Sequence, residues 1–373
     1  MIYLDYAANT PVNEEVLAAF DEASLRYIAN PNSSHRLGVL AKEKLDECTR
    51  RILALLDAPG CEIVYTSGAS ESNNLAIKGA AAKYKKLGKH IITTCLEHSS
   101  VNGAMAALQE AGYEVDYVDI LEDGLVDMNH LKELLRRDTI LVSVCYVDSE
   151  IGIRQPVDQI GELLSAYPNC FFHVDATQAV GKIPVSMGSI DLLTFSPHKF
   201  YGLNGCGALV KKAPVLLEPI IHGGISTTPY RSGTPALPLV AAAERALSLA
   251  AAGLEANYVY VEGLRGKLLD ALSRFPKVYI NSTARSVPFI VNLSLPGVKM
   301  PAVLSELESH EIYLSSKSAC CAPNTVSRPV YALTKDRKAA LSTMRISLSH
   351  LTTTDELETF VARFADCCRK FAV

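Results

Sequence analysis

The chain has no tryptophan, no C-x-x-C pair and no apolar run reaching the ~18–20 residues that a helix needs to cross a bilayer. It also lacks an excess of basic charge. Lys plus Arg is 36 against 40 for Asp plus Glu, a formal net charge of −4. A nucleic-acid binder normally carries a basic stripe, so that class and the membrane class are set aside. No internal repeat or low-complexity tract is visible, and the opening MIYLDYAANTPVNEE has no basic region of the signal-peptide kind. Ten cysteines stand at 48, 61, 95, 145, 170, 206, 320, 321, 367 and 368, several inside apolar runs. In a long chain this spacing reads as reduced thiols in a cytoplasmic protein, with neither a disulfide framework nor a metal site.

What is present is ordinary globular composition: 373 residues, 49% hydrophobic and 20% charged. At ~150 residues per domain that fits two domains. Apolar positions from Leu37 to Leu56 recur at helical spacing and predict one amphipathic helix over 36–57. Short runs rich in β-branched residues follow: EIVYT, HIITTCL, EVDYVDI, ILVSVCYV, FFHVDAT and LLTFS. Helical stretches separate most of them. Continuous apolar strands joined by helical crossovers imply an α/β fold with a mostly parallel sheet covered by helices on both faces. The alternation fades near residue 215, before a Gly/Ser/Thr/Pro loop at 222–234 and an Ala-rich helical stretch at 240–252. The remainder, 256–373, reads as a mixed, smaller α/β unit.

In open α/β sheets, chemistry gathers at the carboxyl ends of the strands. TSGASESNN (66–74) follows one strand and opens a helix, which exposes backbone N–H groups to an anion; Ser67 or Ser70 would equally serve as an ordinary cap. In HVDATQ, Asp175 ends a strand expected to be buried, where a carboxylate needs a cation or a turn to cap. One such cation is the ring nitrogen of pyridoxal phosphate. FSPHKF places Ser196, His198 and Lys199 at the end of another apolar run. Lys199 there is a candidate Schiff-base lysine, with Ser196 and His198 near a phosphate. His98, in EHSS, is a candidate ring-stacking proton carrier or a helix cap. Cys320 lies in SSKSACC, a small-residue segment followed by Ala-Pro-Asn-Thr, and Lys317 is near enough in sequence to favour its thiolate. For Cys367 and Cys368, on a helical pattern, packing is the expected role.

Together these segments resemble the cysteine desulfurases of the NifS/IscS type, within the class V aminotransferase family of pyridoxal-phosphate enzymes. The resemblance rests on YLDYAANTPV, NPNSSHRLG, TSGASESNNLAIKGA, KHIITTCLEH, DTILVSVCYVDSEIG, HVDATQAVGKIP, FSPHKFYG, RSGT, SSKSAC and MRISLS, in order along nearly the whole chain. It implies a fold-type-I enzyme with a large cofactor-binding domain over 14–255. A smaller domain, 1–13 with 256–373, would carry the catalytic cysteine loop. Lys199 would hold pyridoxal 5'-phosphate covalently, Asp175 would pair with its ring nitrogen, Gln178 would bond its phenolic oxygen, and His98 would stack on the ring. Ala69, Ser70, Ser196 and His198 would hold the phosphate, with Thr234 from the second subunit of a homodimer. Arg345 would clamp the carboxylate of L-cysteine, and Cys320 would accept sulfur as a persulfide for delivery to a sulfur-acceptor protein in iron–sulfur cluster assembly or tRNA thiolation.

The sequence departs from the family pattern at several places. Asp148-Ser149 stands where the family usually has Asn-Asn, so Ser149 reaches less far toward the phenolic oxygen. Lys317 replaces the Gly of SSGSAC, Pro197 replaces a Gly between Ser and His, and the 225–230 stretch lacks the usual Gln-Glu. The chain ends at Val373, short of the extension that in longer relatives helps dock an iron–sulfur scaffold. A selenocysteine lyase, or a class V aminotransferase that never uses Cys320, is the alternative reading. A non-enzymatic metal-binding scaffold is a third, which the missing C-x-x-C spacing argues against.

Overall fold

The structure is a computed structural model and describes residues 1–317 and 325–371. Twelve strands form among them: β1 (Ile2–Tyr3), β2 (Cys61–Thr66), β3 (His90–Thr94), β4 (Glu114–Val118), β5 (Thr139–Cys145), β6 (Phe171–Asp175), β7 (Leu192–Phe195), β8 (Gly207–Lys212), β9 (Tyr279–Ile280), β10 (Ile290–Ser294), β11 (Ile312–Tyr313) and β12 (Thr343–Ser347). Every residue of β3, β5 and β7 is buried, which is why these runs are almost unbrokenly apolar.

The large sheet has the order β2-β8-β7-β6-β5-β3-β4. The strands from β3 to β7 pair in parallel, while β8 runs antiparallel to both β7 and β2. All six strands expected from the β-branched runs are present. The antiparallel β8, GALVKK, was not anticipated; it inserts between β2 and β7. Its first residue explains a glycine. A Cβ on Gly207 would lie 2.4 Å from the carbonyl carbon of Gly68, so only glycine lets β8 press against the turn that precedes the helix Ala69–Tyr84.

The predicted helix over 36–57 runs from Arg36 to Leu55, capped by His35, and the chain leaves it through Asp57 at φ 44°. The Ala-rich stretch forms Leu237–Ala252. Toward the C-terminus, β10 pairs antiparallel with β9 and β12. The N-terminus joins this part of the chain: β1 pairs in parallel with β11, and Asp5 bridges to Ser347. Cys367 and Cys368 are buried on the helix Thr354–Lys370, as expected for packing residues. The eight described cysteines are all free thiols. Among the described residues no single helix is long and apolar enough to cross a membrane.

Candidate active site

The carboxyl ends of β5, β6 and β7 open into a cavity of about 370 Å³. Its walls include Ala69, Ser70, His98, Ser149, Asp175, Gln178, His198, Lys199 and Arg345. The expected site residues from six separate sequence segments therefore meet in one place.

One end of the cavity is the start of the helix Ala69–Tyr84. Gly68 precedes it, and no side chain caps the first turn. The first-turn N–H groups are thus available to an anion, helped by the positive end of the helix dipole. Glu71 does not fill this role: its carboxylate accepts from Ser67 N–H (2.7 Å) and from Arg231 Nε (2.9 Å).

At the floor, Asp175 is buried and accepts Thr177 N–H at 3.0 Å and Asn73 Nδ2 at 2.7 Å. Asn73 is the hub of a short chain of polar groups. Its amide also donates to Ser100 Oγ (2.9 Å), and Ser100 meets His98 Nδ1 at 2.8 Å. Because Ser100 N–H also donates to Nδ1 (3.2 Å), the proton of the neutral imidazole belongs on Nε2. Burial lowers the His98 pKa, partly offset by Asp175, so the ring is neutral near pH 7. His98 is both a cap, for the helix Ser99–Glu110, and a wall of the cavity, so the two sequence readings hold together.

Lys199 belongs to a single 3-10 turn, Pro197–Lys199, placed by β7. Pro197 opens this turn, where its fixed φ suits the first helical position and its missing N–H costs nothing. The Lys199 ammonium donates to the carbonyls of Ala7 (2.9 Å) and Ala8 (2.6 Å). Two residues on, Tyr201 is held at φ 68°, with Thr10 Oγ1 accepting its N–H at 2.7 Å. A non-glycine residue in this left-handed region next to a candidate catalytic lysine marks a backbone fixed by its surroundings.

Two expected phosphate contacts differ from the simple picture. Ser196 is fully buried and does not line the cavity; its hydroxyl donates to Cys206 O and lies 2.8 Å from His198 Nδ1, so it orients His198 from behind. His198 is pushed down to about 4 by desolvation and then by Lys199 and Lys182, so it offers hydrogen bonding and no charge. Thr234 lies outside the cavity of its own chain, in a separate depression beyond Ser67.

Arg345 is almost fully buried and lines the same cavity. Nη2 pairs with Asp5 at 2.8 Å and Nη1 donates to Ser149 O at 2.8 Å, while Nε has no hydrogen-bond partner. The guanidinium is therefore anchored first, with an N–H edge left over for a carboxylate. The Thr177 hydroxyl, also on the cavity wall, is another buried polar atom without a partner. Cys320 and Cys321 fall outside the described residues. At the two flanks of their segment, Lys317 donates to the carbonyl (2.7 Å) and the hydroxyl (2.5 Å) of Thr325; its relation to Cys320 lies outside the described residues.

Asn73, Ser100, Thr177, Lys182 and the carbonyls of Ala7 and Ala8 were not assigned from sequence. Asn73 had a usable signal, since it sits one turn after Ala69 on the face that carries the anion site. Nothing local marks Ala7 and Ala8, whose contact with Lys199 spans more than 190 positions.

A family model, aminotransferase class-V, matches residues 2–360. The chain belongs to this family. A cysteine desulfurase IscS of Pseudoalteromonas translucida is 40% identical over 369 residues, covering 96% of this chain and 90% of that protein. One from Neisseria meningitidis is 39% identical over 366 residues, covering 96% and 89%. A solved NifS-like protein superimposes with a TM-score of 0.92 at 31% identity, covering 99% of each chain. A structure titled SspA in complex with cysteine gives 0.82 at 30%, covering 95% of this chain and all of that one. The chain thus stands among the IscS/NifS cysteine desulfurases, and its fold is that of the fold-type-I enzymes, a mostly parallel sheet flanked by helices.

The cavity suits pyridoxal phosphate on its own terms. It combines an uncapped helix N-terminus for a phosphate, a buried carboxylate for a protonated ring nitrogen, a lysine for an aldehyde, and an unpartnered Thr177 hydroxyl on its wall.

Proposed function

We propose that the protein converts L-cysteine to L-alanine and carries the released sulfur on Cys320 as a persulfide, for transfer to an acceptor protein. The observation that carries this reading is the convergence of Lys199 and Asp175, from the ends of neighbouring parallel strands, on one cavity that the buried Arg345 also lines.

Bound there, pyridoxal phosphate supplies the electron sink. Ala69, Ser70 and His198 would hold its phosphate, Asp175 would keep its ring nitrogen protonated, and Lys199 would hold it covalently. Arg345 receives the substrate carboxylate through its spare N–H edge, which places Cα beside Lys199. The Lys199 amine would take the Cα proton. His98 carries a proton at the substrate thiol through Nε2. The Cys320 thiolate then attacks the substrate sulfur. An S–S bond forms as the Cβ–S bond breaks, Cβ keeps the electron pair, and protonation there leads to alanine. Only the thiolate is competent for this attack.

The reading includes a homodimer in which Thr234 of the second subunit completes the phosphate site, since Thr234 is outside its own chain's cavity. It also includes a cytoplasmic setting, where the thiols stay reduced.

The test is incubation of the cofactor-loaded protein with L-cysteine, quantifying alanine and sulfide and looking by mass spectrometry for an added sulfur on the peptide containing Cys320. Cys320→Ser should keep the bound cofactor and lose both the added sulfur and turnover. Turnover at the parent rate in that variant would overturn the persulfide role.

A further inference from the structure

Four residues after Gln178, on the turn that follows β6, a second lysine stands behind the cavity wall. Lys182 is partly buried, and its Nζ donates to Gln178 Oε1 at 2.7 Å. The other end of the same amide, Nε2, donates to Ala7 O at 2.9 Å. Both contacts fix the amide in the same sense. A backbone carbonyl only accepts, so it must face the amide nitrogen, and that leaves the oxygen toward the Nζ donor of Lys182. Nε2 carries two hydrogens and Ala7 takes one. Gln178 lines the cavity, so its other N–H is the one free to serve a group bound there. The Ala7 carbonyl also accepts from Lys199, so the order Lys182, Gln178, Ala7, Lys199 is a single hydrogen-bonded row.

We propose that Lys182 is a positioning residue for the cofactor: by taking the Gln178 oxygen it turns the amide so that an N–H faces the phenolic oxygen of the bound ring. This rests on the reading that pyridoxal phosphate occupies the cavity. Lys182 does not touch the cofactor and acts through Gln178. Burial first, and then the charges of Lys199 and Arg345, lower its pKa to about 7, and in either protonation state Nζ carries hydrogens to donate to Gln178 Oε1.

An N–H on the ionised phenolic oxygen makes that oxygen less basic. Removing it raises the pH at which the visible absorbance of the bound cofactor changes. The experiment titrates that absorbance in the loaded wild type, Lys182→Met, Lys182→Gln, Gln178→Leu and the double variant Lys182→Met/Gln178→Leu. Lys182→Met should move the midpoint up by about one pH unit, a tenfold change in the protonation ratio. Lys182→Gln keeps an N–H and should stay near wild type. Gln178→Leu should move it up alone, and adding Lys182→Met should move it no further. A wild-type midpoint in Lys182→Met overturns the proposal. So does an equal additional shift in the Gln178→Leu background, which would mean a direct charge effect. If Lys182→Met does not fold, Lys182→Ala carries the same two outcomes. Wild-type protein that stays colourless with the cofactor would instead sink the cofactor reading.

Discussion

Two buried aspartates follow adjacent parallel strands of this sheet and have opposite fates. Asp148 lies three residues beyond β5, fully buried. Its carboxylate accepts the N–H groups of Glu150 (2.9 Å), Ile151 (2.8 Å), Gly152 (2.8 Å) and Ile153 (3.4 Å). It is consumed by its own loop. Asp175 ends β6 with one backbone N–H and one amide as partners, and otherwise faces the cavity. The same side chain thus serves structure where the backbone surrounds it and chemistry where the backbone turns away. A buried carboxylate is a candidate tool only when its partners leave part of it facing open space. Asp148 also accounts for one departure from the family pattern. Asn has one acceptor oxygen and would turn N–H groups toward a backbone donor in this geometry, so the loop here is built around an acid.

The contrast can be broken by substitution. The largest effect should come from Asp175→Asn. It keeps the shape and removes the charge that would face the ring nitrogen, so turnover of cysteine should fall by about 10²–10³-fold, while the cofactor-free protein should lose only about 1 kcal/mol, the cost of one amide N–H turned toward the donor on Asn73 or Thr177. Steady-state assay and calorimetry check both halves. Equal turnover would place Asp175 with Asp148 among structural acids. Next is Asp148→Ala, which leaves the N–H groups of Glu150, Ile151 and Ile153 in the interior without this acceptor, while Gly152 N–H keeps the carbonyl of residue 148 at 3.1 Å. Stability should drop by about 3 kcal/mol, measured by denaturant unfolding, while the cofactor absorbance of the folded fraction is unchanged. A stable Asp148→Ala protein would refute the structural role.

The smallest effect concerns a third buried acid, Glu97. Its Oε1 accepts from Thr94 Oγ1 and Cys145 N–H at 2.8 Å each, and its Oε2 has no partner. Desolvation, against those two bonds, pushes it up to about 8, so the carboxyl is protonated at neutral pH in the folded protein. A raised folded pKa contributes stability that is complete below the unfolded value and is lost as pH rises through 8. Glu97→Gln should therefore be close to wild type in Tm at or below about pH 4.5 and should lose less stability between pH 4.5 and 8. Parallel pH profiles of Tm for the two proteins would show that Glu97 does not titrate in that window.

The residues legible from sequence were those whose polarity interrupts an apolar run at a strand end. Asp175, Lys199, Ser196 and His98 stand out because a buried strand has no packing use for them. What stayed hidden is partnership. Arg345 is readable as an anion binder, but its pairing with Asp5 joins positions 340 apart. Ser196 sat beside His198 in sequence, and only the fold shows it holding His198 from behind. Lys182 and Asn73 carried no role in the sequence reading, and only their contacts with Gln178 and Asp175 give them one. The strand β8 was missed because its apolar run, Ala208–Val210, is only three residues long and ends in two lysines.

By itself the sequence determined the α/β alternation, the strand ends on which the chemistry stands, and the family to which the chain belongs. These follow from local periodicity and from residue types that burial penalises unless they have a use. Only the tertiary structure decided which of those groups share a cavity and which are consumed elsewhere. Hydrogen bonding and desolvation act over a few ångströms in space, and neighbours at that range, such as Ala7 and Lys199, are set by chain reversals that no short stretch of sequence contains.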